Sequence, residues 1–286
     1  MGLTFHEYKF LEEVSKKKNF GNILTLGKQE MILTNEDRKR LNLFKKDYVN
    51  DEYIDKLLVD KFKANSVKSI DNSSFEGADI IHDMNKPIEN LNEKFDTIID
   101  FGTSEHIFNV VENLNNISKF CKNNGIILHS LPANNNCGHG FWQFSPELFF
   151  SLYSENNGFS DTEIFIFNTH NKYEWWKVEK QKLGERLEIS SDVPLYVLVK
   201  TIKKSEVQNK SVQQSDYIER WNENSENYQD AKKKKLSILW KNVKDKYKKF
   251  FIQIILPKRL AQTLEAKKIL LKNSLAKNKN LKNIKF

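Results

Sequence analysis

The stretch from Phe95 to Pro132, FDTIIDFGTSEHIFNVVENLNNISKFCKNNGIILHSLP, constrains this chain most. It reads as strand, turn, helix, strand. Thr97-Ile98-Ile99 is an apolar, β-branched run that Asp100 closes with a carboxylate. Phe101-Gly102-Thr103-Ser104 makes the turn, with Ser104 or Thr103 predicted to cap the helix that follows. Ile107, Val110 or Val111, Leu114, Ile117 and Phe120/Cys121 recur at helical spacing until Asn123-Asn124-Gly125, and Ile126-Ile127-Leu128 opens another buried strand. A βαβ unit of this kind requires parallel strands and a right-handed crossover. Ligands of open α/β sheets gather at the carboxyl ends of such strands, which is where Asp100, Glu105 and His106 fall.

The rest of the chain repeats that alternation. A leading helix is predicted over Thr4 to Lys18, with Phe5, Tyr8, Leu11 and Val14 on one face. Ile23 to Leu26 forms a first strand ending at Gly27, and Thr34 starts a helix. A further helix is expected from Asp51 to Phe62. The strand Val67 to Ile70 leads to Asp71, and the strand Ala78 to Ile81 leads to His82-Asp83. After the fifth strand, Ser145-Pro146-Glu147 signals another helix start. Two last strands, Glu163 to Phe167 and Val193 to Thr201, flank a charged insertion containing Trp175-Trp176. The expected fold class is α/β: a doubly wound, mostly parallel, seven-stranded sheet with helices on both faces.

Gly27, Asp71, Asp83 and Asp100 each close a predicted parallel strand and should therefore line one edge of the sheet. An acid after the second strand can accept hydrogen bonds from both hydroxyls of a ribose. Asp83 can accept from an exocyclic amine, and Gly27 leaves room for a ligand beside the backbone. With ILTLG, the acids Asp71 and Asp83, and the block FDTIIDFGTSEHIFN…NNGIILHSLP, the chain from about Asn19 to Lys204 resembles the class I S-adenosylmethionine-dependent methyltransferases, a Rossmann-like superfamily. The resemblance implies S-adenosylmethionine as cofactor, Asp71 on its ribose, Asp83 near adenine and Asp100 near the methionine portion. One departure stands out: LTLGKQEM keeps one glycine where the family has several, so Gln29 is assigned a polar cofactor contact in their stead.

The loop PANNNCGHGFWQFSPELF leaves the fifth strand on the ligand edge, and no Asp, Glu, Lys or Arg occurs between Asn123 and Pro146. Methyl transfer to oxygen or nitrogen needs an in-line approach at about 3–3.5 Å. It needs a base when the acceptor must lose a proton, and histidine suits that role at neutral pH. His106 and His139 are the candidates. Each has a plainer reading: strand-end aspartates cap turns, and His106 can pack beneath its helix. Cys137, His139, His82 and Asp83 match no strong metal-ligand spacing, so no metal is expected. The acceptor expected is a small molecule or glycan-like compound. A methyltransferase-fold scaffold without catalysis is the alternative that the sparse glycines raise, and the absence of GxGxxG disfavours a nicotinamide dinucleotide.

Composition divides the chain. Residues 201–286 carry 22 Lys+Arg against 8 Asp+Glu, whereas residues 1–200 carry 24 against 30, giving an acidic body and a basic tail. The organisation expected is a methyltransferase-like domain over 1–204, a polar linker over 205–231 and a basic helical tail over 232–286. In the tail, Leu236, Trp240, Val243, Tyr247, Phe250/Phe251 and Ile254 form a stripe among lysines, and a second basic helix is expected from Arg259 to about Lys277. Such a tail can lie on an anionic membrane surface or pack its stripe on protein. Nucleic acid ranks below both because the body is acidic. Two cysteines, no apolar leader and no run near the roughly 20 apolar residues of a membrane span point to a cytoplasmic protein, with peripheral association at a membrane through the tail as one of the two options for that segment.

Overall fold

The computed structural model describes residues 2–43, 52–89, 93–181, 186–207, 211–214, 217 and 258–286. The chain forms two compact units, the first spanning residues 1–178, 192–212 and 283–286, the second 179–191 and 213–282.

The first unit runs β1 (Gly2–Leu3), α1 (Phe5–Ser15), β2 (Asn22–Leu26), β3 (Glu30–Met31), α2 (Asn35–Arg40), α3 (Asp55–Asp60), β4 (Ser66–Asp71), β5 (Ile80–Ile81), β6 (Phe95–Phe101), α4 (Val110–Phe120), β7 (Cys121–Asn134), α5 (Pro146–Leu152), β8 (Phe159–Asn168), β9 (Glu174–Val178) and β10 (Leu195–Lys203). The strand β11 (Leu281–Lys285) returns to the same sheet. Helix starts follow local chemistry. Thr4 and Asp37's partner Thr34 form capping boxes at α1 and α2, and Ser145 caps α5 ahead of Pro146.

The main sheet has nine strands in the order β11-β9-β8-β10-β7-β6-β2-β4-β5. The expected seven-stranded, mostly parallel sheet is corrected on both counts. β5, β4, β2, β6 and β7 are parallel, but β10 is antiparallel to both β7 and β8, and β8 is antiparallel to β9. The extra strands come from segments that the sequence reads as insertion and helical tail. Trp175 and Trp176 are both buried, which ties β9 to β8. The Phe286 ring meets Trp175 at 4.5 Å, and Asn283 donates to Glu174, which holds the end of the chain at the edge of the sheet.

The helix α4 also starts later than Ser104 or Thr103. Ser104 turns inward to Asp100, so residues 104–106 form a 3-10 turn, and Asn109 caps the helix through Glu112 N–H. Its other end meets a fully buried Lys203, whose Nζ donates to the Ser118 and Cys121 carbonyls and to Glu206. A lysine there answers the unpaired carbonyls of a helix C-terminus.

In the second unit, Lys258–Lys272 is helical where the second basic helix is expected. Ser190 N–H donates to the Asn273 carbonyl, and Asn278 donates to the Glu188 carbonyl. The amphipathic stripe from Leu236 to Ile254 and most of the expected linker lie outside the described residues. Among the described residues no helix is long and apolar enough to cross a membrane.

Candidate functional site

The strand order reverses between β2 and β6: the chain steps outward through β4 and β5, then returns to β6 and β7. Reversals of this kind open a crevice at the carboxyl ends of the strands. Here Thr103, just after β6, donates from its hydroxyl to the Leu26 carbonyl at 2.7 Å and stitches the two sides together. Gly27 has φ +68°, in the left-handed region that favours glycine. A Cβ there would lie 3.6 Å from Asp71 Oδ2 and 3.4 Å from Thr103 Oγ1. Gly27, Asp71 and Thr103 therefore converge on one recess, and the other Asp71 oxygen accepts only a long bond from Ser73 N–H at 3.3 Å among the bonds described.

The other expected cofactor contacts each bond within the protein. Asp100 is wholly buried and accepts from Thr103 N–H, Ser104 N–H, Ser104 Oγ and His129 Nδ1, so its carboxylate shapes the turn after β6. The sequence placed it on the right strand end but could not reveal that its lone pairs are taken internally. Gln29 is also buried; its amide donates back to the Leu26 carbonyl at 2.6 Å, and its Oε1 has no partner among the described residues. Asp83 accepts from the backbone and side-chain amides of Asn85, which, with Lys86, hold its carboxyl below the usual range. It stands beyond the end of β5 as a turn former.

Across the same edge lies a cavity of about 330 Å³. Its walls include Phe101 at the end of β6 and Gly102 just after it, Ser130 of β7, His139 of the loop that follows β7, Tyr196 of β10, and His6 and Glu7 of α1. The last two were missed: apolar spacing assigns Phe5, Tyr8, Leu11 and Val14 to the inner face of α1 and gives no sign that the polar pair is buried as well. Glu7 accepts from Ser130 Oγ at 2.6 Å. His6 Nδ1 accepts from Trp175 Nε1 at 3.0 Å. Indole N–H only donates, so the neutral ring carries its proton on Nε2, a buried atom without a partner among the described residues. Burial, helped by Lys172, pushes the His6 pKa down to about 4 and keeps the ring neutral. Burial also raises Tyr196 to about 12, with Glu105 and Glu7 adding to the effect.

Both candidate histidines meet Glu105. His139 Nε2 lies 3.3 Å from Glu105 Oε1, His106 Nε2 lies 4.0 Å from the same oxygen, and the two imidazole centroids are 5.2 Å apart. Glu105 is fully buried, and neither carboxylate oxygen has a hydrogen-bond partner among the described residues. Burial, then the nearby Asp100, raises its pKa to about 8. Gly140, at φ +74°, brings the loop against this residue; a Cβ there would lie 2.7 Å from the Glu105 carbonyl oxygen. Phe141 N–H donates to that carbonyl at 2.7 Å. Beyond it Phe108, Phe141 and Trp142 form an exposed aromatic group with centroids 6.0 and 6.5 Å apart, and Trp142 Nε1 donates to the Ile107 carbonyl.

No family model matches this chain, and no curated protein does. Among solved structures it is similar to the N-methyltransferase NodS from Bradyrhizobium japonicum WM9, at 12% identity over 69% of this chain and 94% of that one, with a TM-score of 0.39. It is similar to an S-adenosylmethionine-dependent methyltransferase from Clostridium acetobutylicum ATCC 824, at 11% identity over 71% and 74%, with a TM-score of 0.28. A third is the S-adenosylmethionine-dependent methyltransferase from Thermotoga maritima, at 12% identity over 70% and 90%, with a TM-score of 0.37. All three are described as methyltransferases.

Proposed function

We propose that this chain is an S-adenosylmethionine-dependent methyltransferase acting on a small-molecule or glycan-like acceptor. The observation that carries the reading is the recess at the sheet's reversal, where Gly27 at positive φ leaves the Asp71 carboxylate open beside Thr103. The residues fit a nucleoside: Asp71 can take both ribose hydroxyls, and a side chain at Gly27 would fill the space between. When bound, the cofactor supplies an electrophilic methyl group. The neighbouring cavity, with apolar walls and a few directed polar groups, suits a small acceptor. His6 offers a donor from Nε2, and Ser130 and Glu7 fix one wall. His139 lines the cavity, and with His106 it is assigned the handling of the acceptor's proton. Phe108, Phe141 and Trp142 give flat apolar faces on which a sugar ring can stack, which is the support for a glycan-like acceptor.

Isothermal titration with S-adenosylhomocysteine tests this directly. Wild type should bind one equivalent, and Asp71→Asn should weaken binding about 10-fold or more, the scale of a lost charge-assisted hydrogen bond. Absence of heat at millimolar ligand would count against the enzyme and in favour of a scaffold.

A further inference from the structure

We infer that Glu105, His106 and His139 form a binding site for a divalent transition-metal ion at the wall of the acceptor cavity. One ligand atom from each lies within 4.8 Å of the other two. Around a tetrahedral ion with bonds of about 2.1 Å, donor atoms stand roughly 3.4 Å apart. Glu105 Oε1 and His139 Nε2 are already 3.3 Å apart, and His106 Nε2, at 4.0 Å, needs only a small ring movement.

The second, independent observation is what these atoms lack. Among the described residues, both Glu105 oxygens and His139 Nε2 are buried without a hydrogen-bond partner. A buried carboxylate with no donor is costly, and native proteins rarely leave one. A proton shared between Glu105 and His139 would answer one oxygen and leave the other orphaned. It would also give His106 no reason to face the same carboxylate. A cation answers all of these together.

The surroundings hold the ligands in advance. Thr103 and Ser104 N–H groups on Asp100 fix the turn that carries Glu105 and His106. His139 is held from the other side by its own N–H on the Asn136 carbonyl and by Gly140 lying against Glu105. Such support is what a metal site needs from its second layer. Two imidazoles and one carboxylate select zinc, manganese, iron, cobalt or nickel over magnesium and calcium, which prefer all-oxygen sites. Three protein ligands leave coordination positions for an exchangeable partner. His139 also lines the cavity, so an acceptor oxygen can fill one of them and become more acidic. The proton handling assigned to His106 and His139 then runs through the ion that they hold. The role for the acceptor rests on the methyltransferase reading; the site itself does not.

The test is calorimetry on the whole 286-residue chain after chelator treatment, titrating Zn²⁺ and Mn²⁺ alone, with S-adenosylhomocysteine titrated separately. We expect one equivalent of metal to bind wild type. Glu105→Gln and His139→Ala should each weaken binding about 10-fold or more, with an unchanged melting temperature for the metal-free variants or a higher one. Cys137→Ser and His170→Ala should bind as wild type does. No metal binding, equal affinity in the Glu105 and His139 variants, or loss on Cys137→Ser would each overturn the site. Metal binding without S-adenosylhomocysteine binding would sink the methyltransferase reading alone. The reverse would sink only the metal site.

Discussion

His129 Nδ1 donates to Asp100 Oδ2 at 2.8 Å between register partners on β7 and β6, with both side chains fully buried. The carboxylate accepts at Nδ1, so Nε2 is left to accept from Tyr153 Oη at 2.7 Å. This chain of three groups joins the turn that carries Glu105 to the face beneath α5. Burial, reinforced by Asp100, raises the Tyr153 pKa well above its ordinary value, so the hydroxyl stays a donor.

Asp100→Ala should therefore destabilise the fold by about 3 kcal/mol or more, because it strands two amides, a hydroxyl and an imidazole in the interior. Urea unfolding measures it. A change below about 0.5 kcal/mol would show that the network contributes little.

His6 predicts an acid-side loss of stability. Its folded pKa of about 4 lies below the ordinary 6.5, so in that interval the unfolded state takes up a proton that the folded state refuses. Stability should fall by about 2 kcal/mol as pH drops from 7 to 5 on this account. His6→Gln keeps an acceptor for Trp175 and should flatten that slope.

Glu163 acts in a lower window. Burial alone would raise its pKa, but bonds from Lys200 and Lys177 outweigh it and bring the value to about 2. Its contribution is present above about 4.5 and is lost as pH falls toward 2. Glu163→Gln should cost about 1–2 kcal/mol at pH 7, after allowance for its partial exposure, and about 0.5 kcal/mol or less at pH 2. Equal costs at both pH values would contradict the ion-pair account.

Lys203→Met removes three bonds from a buried ammonium and leaves the Ser118 and Cys121 carbonyls unanswered. We expect a loss of about 2–3 kcal/mol, read by thermal melting, with S-adenosylhomocysteine affinity unchanged because the residue lies far along β10 from the ligand edge.

Gly27→Val should weaken S-adenosylhomocysteine binding about 10-fold or more while costing about 1–2 kcal/mol of stability through the strained φ. Gly77, also at positive φ but with open space around it, supplies the control: Gly77→Ala should cost stability without touching affinity.

Local chemistry made much of this protein legible from its residues. The β-branched runs gave β2, β4 and β6, Thr34 and Ser145 announced their helices, and strand-end placement brought Gly27 and Asp71 to one edge. These follow from period and turn chemistry, which act over a few residues. The tertiary structure alone decided the rest. Asp100 became an internal acceptor because His129, 29 residues later, reached it across the β6–β7 register. Glu105 and His139 met because Gly140 let a distant loop lie flat, and β9 and β11 joined the sheet because Trp175 buried itself against Phe286. A sequence fixes which groups a chain can offer. Which of their lone pairs remain free is settled by long-range packing, since each buried polar atom must find its partner wherever the fold puts one.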